Sequence, residues 1–204
     1  MTELSLKILN SIESVIRSKD DQRSIPLHEP FFENTNAWKY VKNCIDTGWV
    51  SSAGNWVTKF ENAICSYTGS KYAVVVNNGT VGLRLALHVI GVKSGDEVLV
   101  PPYSFVATVN AISHLGAIPH FVDIEEKTFS LCPKALGKQL EKIAFKKNGE
   151  VFNRVTGRRI SAILPVHIFG MPSDLISLAR ISKTWGIPLV EDAAEALGSW
   201  INLK

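Results

Sequence analysis

Apolar residues near the start of the chain recur three or four positions apart, at Leu4, Ile8, Leu9, Ile12, Val15 and Ile16. This spacing predicts an amphipathic helix that packs on a body or on a partner. A second helix is indicated by Trp38, Val41 and Ile45, which recur with the same helical period. It should end at the segment "DTGWVSSAGN", whose Gly and Ser residues are typical of a loop.

From Lys71 onward, short apolar runs alternate with helical patterns. The runs are "YAVVV", "EVLVP", "IPHFVDI", "SAILPV" and "IPLV", and the helical patterns end at Gly91, Gly116 and Gly186. The runs are continuous rather than alternating, so they predict strands buried on both faces, as in the parallel sheet of βαβ units. We therefore expect an α/β fold with a mostly parallel sheet between helices. Ser173 is the predicted cap of the helix "DLISLARISKTW".

Composition narrows the class of protein. Hydrophobic residues make up 46% of the chain and charged residues 20%, which is typical of a globular protein. The net charge of +3 does not favour a nucleic-acid partner, and the basic stretch "FKKNGEVFNRVTGRR" is better explained as a solvated turn or hairpin. The three cysteines lack disulfide or metal-ligand spacing, and no signal peptide or membrane-spanning segment is visible. We expect a cytoplasmic protein without a metal site or a membrane partner.

Ligands of open α/β sheets bind beyond the carboxyl ends of the strands. The segment "NNGTVG" follows one predicted strand, with a tight turn at Gly79 and a helix from about Thr80. Free N–H groups and a hydroxyl at the positive end of a helix dipole suit a phosphate. Taken alone, the segment favours an ordinary turn capped by Thr80. Gly79 and Gly82 do not supply the GxGxxG pattern, which makes a Rossmann enzyme a weak alternative.

Two other strand ends carry suggestive side chains. Tyr103 in "PPYSF" is placed to cover a flat ring by stacking, although a core or surface tyrosine fits equally. Asp192 directly follows an apolar run, where a carboxylate is costly unless it meets a cation or several donors. A protonated ring nitrogen would satisfy Asp192, and a helix cap is an equal alternative. Together, a phosphate site, a ring cover and an anion for a pyridinium nitrogen are what pyridoxal 5'-phosphate (PLP) requires.

Seven segments between Ile25 and Trp200 resemble, in order, the sugar aminotransferases of the DegT/DnrJ/EryC1/StrS family. They are "IPLHEPFF", "TGWVSSAGNWVTKFE", "VVVNNGTVGLRLAL", "DEVLVPPYSFVATVNAI", "FVDI", "PVHIFG" and "VEDAAEALGS". The insertion "NGEVFNRVTGRRI" further resembles the branch that aminates 4-keto nucleotide sugars on routes to bacillosamine or legionaminic acid. The resemblance implies the large domain of PLP-dependent transferase fold type I over residues 25–204, preceded by an N-terminal arm over residues 1–24.

The resemblance also implies roles for individual residues. Gly79, Thr80 and Val81 would form part of the phosphate cradle, and Tyr103 would occupy the ring-stacking position. Asp192 would pair with the pyridine nitrogen. Glu195 falls where relatives often have Gln or His near the phenolic oxygen, and a carboxylate there would repel a phenolate unless one of them holds a proton. His167 is interpreted as a structural hydrogen-bonding residue.

The implied reaction is a ping-pong transamination in a homodimer, with glutamate as the amino donor and a nucleotide-linked keto sugar as the acceptor. The family's Schiff-base lysine lies on a stretch beyond the "EDAAEA" segment. Lys204 is too close to Asp192 to match it, and Lys183 lies inside the preceding predicted helix. We therefore expect a truncated, inactive form that lacks this lysine, the rest of the large domain and the small domain. The alternatives are a non-catalytic dimerisation or binding fragment and a PLP-dependent sugar dehydratase relative.

Overall fold

The computed structural model describes residues 2–16, 30 and 32–201, which fall into two compact units, Met1–Trp56 and Val57–Lys204. The elements, in chain order, are α1 (Glu3–Ile16), α2 (Ala37–Thr47), α3 (Asn55–Thr68), α4 (Gly79–Val89), β1 (Glu97–Val100), α5 (Val106–Ser113), β2 (Ile118–Phe121), α6 (Pro133–Ile143), β3 (Ala144–Lys147), β4 (Glu150–Asn153), β5 (Ile160–Ile163) and α7 (Leu175–Trp185). None of the helices in these described ranges is long and apolar enough to cross a membrane.

The first unit contains the two helices predicted from apolar spacing. Helix α1 exposes the side chains of Leu4, Ile8 and Ile12, with exposed fractions of 67%, 52% and 49%. Helix α2 ends at Gly48, where the backbone turns into the left-handed region, as the loop pattern predicted. The expected boundary of the N-terminal arm at residue 24 lies outside the described residues, so it stays a prediction.

A parallel sheet with the strand order β2-β1-β5 forms the centre of the second unit. All four residues of the central strand β1 are buried, because helices cover both of its faces. Val98 and Val100 pack with Leu87 of α4 and Ile112 of α5, whereas Leu99 packs on the opposite face in a cluster that includes side chains of α6 and α7. This alternation follows from the two-residue period of a strand. The predicted α/β class is confirmed.

The predicted strand "IPLV" pairs with β5 only briefly. Leu189 forms a parallel bridge to Ile163, and the Val190 amide donates to the Ile163 carbonyl at 3.0 Å. A second parallel bridge joins Val166 to Asp192. The segment from Leu189 to Asp192 is therefore fixed to the sheet next to β5.

The prediction of a strand at "YAVVV" is wrong for the described structure. Residues 72–76 form no strand, and the exposed fractions of Tyr72 and Val74 are 76% and 74%. The segment is held instead by a hydrogen bond from the Val75 amide to the Glu61 carboxylate at 3.0 Å. An apolar run indicates that a segment suits burial on both faces, but a strand also needs a neighbour's backbone, and no described segment supplies one.

The predicted helix cap at Ser173 is also wrong. Helix α7 is capped by Asp174, whose side chain accepts the Ser177 amide at 3.1 Å. Ser173 is buried and makes its hydrogen bonds with Ser130 and His167. Both residues are good caps by type, so the sequence could not distinguish them without the tertiary partners of Ser173.

The basic stretch forms the predicted hairpin, in which β3 and β4 pair antiparallel around the two-residue turn Asn148–Gly149, both with positive φ. Beyond it, Arg159 donates to the carboxylates of Asp96 and Glu150. The hydrogen bonds that Arg159 donates to the Asp96 carboxylate are the main cause of the raised pKa of Arg159, which therefore stays charged throughout any practical pH range. These contacts fix the hairpin to the amino end of β1, opposite the end where ligands bind.

Candidate functional site

Asp192 is a buried carboxylate, 6% exposed, at the carboxyl end of the sheet. Its Oδ2 accepts the Thr108 hydroxyl at 2.6 Å, and its Oδ1 accepts the Ala194 amide at 3.2 Å. Within the described part of the chain, no lysine, arginine or histidine side chain pairs with it. An ionised carboxylate has about four acceptor positions, so two donors leave it under-satisfied. The site fits a ligand that brings a positive charge, such as a protonated ring nitrogen.

Thr108 was not predicted as a site residue. It lies in the first turn of α5, whose buried face also carries Ala111 and Ile112, and its side chain is fully buried. A polar residue on an otherwise apolar helix face needs a hydrogen-bond partner. That pattern is visible in "FVATVNAI", but the partner, 84 residues away, is not.

The turn before α4 presents a helix N-terminus. The Asn78 side chain caps the helix by accepting the Val81 amide at 2.9 Å, so the cap is Asn78 and not Thr80. No hydrogen bond within the described ranges uses the amides of Gly79 and Thr80 or the Thr80 hydroxyl. These three donors are available to an anion, whereas the Val81 amide is already engaged.

An open depression at this turn is lined by Asn78, Thr80, Val81, Arg84 and His114. The Arg84 guanidinium forms no ion pair with a described residue, so its charge adds to the positive end of the helix dipole. In the described structure, no hydrogen bond or ion pair connects this turn with Asp192. The structure therefore leaves the predicted phosphate cradle and the predicted ring anchor as two separate sets of contacts.

Tyr103 lies within an aromatic cluster. Its ring packs edge-on against Phe129 and Phe169, with centroid distances of 6.2 and 6.4 Å. A second ring was missed in the sequence: Phe105 is the residue before the first turn of α5 and is 78% exposed. The Phe105 carbonyl accepts the Thr108 amide at 3.1 Å, so the two residues are backbone neighbours in the first turn of α5. Two aromatic rings are thus candidates to cover a ligand held at Asp192.

Glu195 contacts the backbone of the "HIFG" segment. Its Oε2 accepts the Phe169 amide at 2.8 Å. Close by, the Ser199 hydroxyl donates to the Gly170 carbonyl at 2.6 Å. The carboxylate of Glu195 is therefore occupied in part by the protein itself, and its expected place near a phenolic oxygen stays a prediction.

His167 is a buried hydrogen-bonding residue, as the sequence suggested. Its Nδ1 accepts the Ser173 amide at 3.1 Å, so the proton of the neutral ring lies on Nε2, which donates to Glu191 at 3.1 Å. The His167 amide donates to the Asp192 carbonyl at 3.0 Å. His167 thereby connects the start of α7 to the segment that carries Asp192.

Comparison with known proteins identifies relatives. The profile of the DegT/DnrJ/EryC1/StrS aminotransferase family matches residues 33–204. A GDP-perosamine synthase of Vibrio cholerae is 36% identical over 180 residues, covering 88% of this chain and 44% of that relative. A GDP-perosamine synthase of Caulobacter vibrioides is 35% identical over 164 residues, covering 80% of this chain and 40% of the relative. The chain thus spans less than half the length of these curated relatives.

Solved structures agree in fold. The crystal structure of 3-amino-5-hydroxybenzoic acid synthase superposes with a TM-score of 0.70 at 30% identity, covering 86% of this chain and 41% of that one. The structure of DesI in the presence of its TDP-sugar product gives a TM-score of 0.68 at 29% identity, covering 81% and 38%. The predicted PLP-dependent aminotransferase fold is confirmed. The bacillosamine and legionaminic acid branch stays a prediction, because the reported relatives carry other product names.

Proposed function

Because the chain belongs to the DegT/DnrJ/EryC1/StrS aminotransferase family, we propose that it holds the cofactor in a PLP-dependent transamination of a nucleotide-linked keto sugar. The observation that carries the proposal is Asp192: a carboxylate 6% exposed, with two neutral donors and no cation among the described residues. PLP, when bound, supplies an electron sink for the carbon from which a proton is removed. The protein's part is to hold and orient the cofactor and to keep its ring nitrogen protonated.

Asp192 would keep a proton on the ring nitrogen. An anion next to a ring nitrogen favours the protonated form of that nitrogen, and burial strengthens the effect because water does not screen it. Thr108 and the Ala194 amide fix the carboxylate so that it need not reorganise when the ring binds. His167, through its hydrogen bond to the Asp192 carbonyl, holds the backbone at that position.

The amides of Gly79 and Thr80 and the Thr80 hydroxyl are the proposed phosphate donors, with Val81 lining the same depression. For the ring cover, Tyr103 was the residue predicted from sequence. Phe105 has the stronger structural support, because it is more exposed and lies beside Thr108, whose hydroxyl binds Asp192.

The acceptor class rests on relatives. The name GDP-perosamine synthase and the TDP-sugar product of DesI both indicate nucleotide-linked sugars for those proteins. We propose the same class here, with glutamate as the amino donor and the cytoplasm as the compartment. Lys183 lies in the last turn of α7 and is exposed, and Lys204 lies outside the described residues, so we assign the Schiff-base role to neither.

The test uses pyridoxamine 5'-phosphate, which has the ring nitrogen and the phosphate but no aldehyde, so it cannot react with surface lysines. Isothermal titration of the purified chain should show saturable binding. Asp192→Asn should weaken that binding at least tenfold, since the loss of one charge-assisted hydrogen bond costs about 1.5–3 kcal/mol. Thr80→Val should weaken it less.

Glu141→Gln is a matched control, because Glu141 is an exposed carboxylate of α6 that makes no hydrogen bond with a described residue. It should bind pyridoxamine 5'-phosphate like the wild type. Equal affinity in Asp192→Asn and the wild type would refute the assignment of the ring anchor. Titration with a GDP-linked and a TDP-linked 4-keto sugar then tests the acceptor class.

The exposed apolar face of α1 favours a second candidate, a role in assembly. Leu4, Ile8 and Ile12 present an apolar stripe that suits a protein partner. We propose that this helix contributes to a homodimer interface. Mixing the chain with an intact relative and separating mixed dimers by size would support the assembly role, whereas a monomer at all concentrations would contradict it.

A further inference from the structure

Left-handed backbone conformations mark an unusual feature near Tyr103. Among the described residues, four that are not glycine have positive φ: Asn34, Phe129, Asn148 and Phe169. Asparagine tolerates this region, but a bulky residue is strained there by roughly 1–2 kcal/mol. The two strained residues are both phenylalanines, and both of their rings pack edge-on against Tyr103. Strain of this kind persists only where the surroundings impose it, and it clusters at functional sites.

The two phenylalanines are held in different ways. Phe129 lies in a local turn, in which its amide donates to the Glu125 carbonyl at 3.0 Å. The Phe169 amide donates to the side chain of Glu195, which is 26 residues later in the chain. Phe169 also lies in a local turn, in which the Gly170 amide donates to the His167 carbonyl at 3.2 Å. Phe169 is 76% exposed, so packing against Tyr103 covers only a small part of it. A distant carboxylate therefore acts together with the local turn on the conformation of Phe169.

The segments that carry Phe169 and Glu195 also contact each other at Gly170, through a hydrogen bond and a close backbone approach. The Ser199 hydroxyl donates to the Gly170 carbonyl at 2.6 Å. Gly170 itself has a φ of +75°, and a Cβ there would lie 2.9 Å from the Glu195 carbonyl oxygen. The backbones of the "HIFG" and "EDAAEA" segments thus approach so closely that only glycine fits, which sets the Phe169 amide against the Glu195 side chain.

We propose that Glu195 is a positioning residue, whose carboxylate holds Phe169 in the left-handed conformation and so fixes its ring against Tyr103 at the edge of the Asp192 site. The proposal rests on the proposed function for its role: a substrate that reaches a cofactor held at Asp192 meets an ordered aromatic surface. Ordering the ring in advance removes an entropy cost from binding. Glu195 would act on the substrate through Phe169, whatever contact it makes with a cofactor.

The experiment measures exchange of the Phe169 amide proton with water, by NMR magnetisation transfer, in the full chain without cofactor. Glu195→Ala should raise the exchange rate about tenfold, because the amide loses a charged acceptor. Glu195→Gln keeps an acceptor oxygen and should restore most of the protection. The Phe129 amide is an internal control whose rate should not change, and Glu126→Ala controls for loss of an exposed carboxylate.

A second measurement separates positioning from general stability. Nuclear Overhauser contacts between the Phe169 and Tyr103 rings report the place of the ring directly, because the two ring centroids lie 6.4 Å apart. Glu195→Ala should weaken these contacts and leave those between Phe129 and Tyr103 unchanged. Unchanged contacts between Phe169 and Tyr103, or Phe169 exchange within twofold of the wild type in Glu195→Ala, would overturn the inference.

These readouts need no cofactor. Changed exchange without pyridoxamine 5'-phosphate binding supports the positioning role and contradicts the proposed function. Binding of pyridoxamine 5'-phosphate with unchanged Phe169 exchange in Glu195→Ala supports the proposed function and contradicts the positioning role.

Discussion

Replacing Thr108 with valine tests the central contact of the candidate site. The substitution preserves the shape of the side chain and replaces the hydroxyl with a methyl group. The hydroxyl donates to Asp192 at 2.6 Å, and both side chains are buried, at 0% and 6% exposure. A hydrogen bond to an ionised group contributes about 1.5–3 kcal/mol. Little water can replace this donor, so we expect the free energy of unfolding to fall by about 2 kcal/mol.

The assay is urea-induced unfolding at neutral pH, followed by far-ultraviolet circular dichroism. The midpoint should fall while the slope of free energy against urea stays constant, because the surface exposed on unfolding is nearly unchanged. Thr108→Ser is the matched control, since it keeps the hydroxyl and removes only a methyl group, at a cost of about 1 kcal/mol. A change in slope would indicate an altered native or denatured state.

The refuting result comes from a double-mutant cycle. In an Asp192→Ala background the hydroxyl has no carboxylate to bind, and Thr108→Val should cost close to nothing. If the substitution costs the same in both backgrounds, the hydroxyl does not stabilise the protein through Asp192. Thr108 would then not hold the Asp192 carboxylate in place.

Four further substitutions have defined outcomes. Phe105→Leu should weaken pyridoxamine 5'-phosphate binding roughly 2–10-fold, which is the contribution of one aromatic stacking pair. Tyr103→Leu should weaken binding less. If titration gives the reverse order, Tyr103 and not Phe105 is the residue that covers the ring. Glu97→Gln should lower the free energy of unfolding in urea by about 2 kcal/mol. The Glu97 carboxylate is 2% exposed and forms hydrogen bonds with Thr156, Asn153 and His120 at 2.6, 2.9 and 3.0 Å. An unchanged midpoint would show that the hairpin does not depend on this carboxylate. His167→Ala leaves the buried Ser173 amide without its acceptor and should lower stability by about 1–3 kcal/mol in thermal unfolding; no change would show that this hydrogen bond does not stabilise the protein.

The sequence predicted the sheet where burial on both faces was the deciding property. "EVLV" and "SAIL" are continuous apolar runs, and the strands they form are buried at every position. The same property failed at "YAVVV", because apolar side chains suit a strand without supplying the neighbouring backbone that a strand must pair with. Apolar pattern is local information, whereas pairing is decided elsewhere in the chain.

The candidate site divides in the same way. Asp192 was predicted because a carboxylate after an apolar run is costly on its own, and this is a local argument. Its partner Thr108, the acceptor role of Glu195 toward Phe169 and the hydrogen bonds of Ser173 all depend on contacts between distant segments. Side-chain type indicates that a partner is needed, but only the fold identifies it.

The separation of the two predicted cofactor anchors has a physical explanation. The phosphate of PLP is carried on a ring carbon that is not adjacent to the ring nitrogen, so a protein that binds both groups must hold its two anchors apart. Direct bonds between the Gly79–Thr80 turn and Asp192 would fill the space that the ligand needs. Each anchor in the described structure retains unused capacity, as free donors at the turn and as free acceptor positions at Asp192. Opposite charges left unsatisfied at two places suit a ligand that is anionic at one end and cationic at the other, and the ligand itself would then join the two sets of contacts.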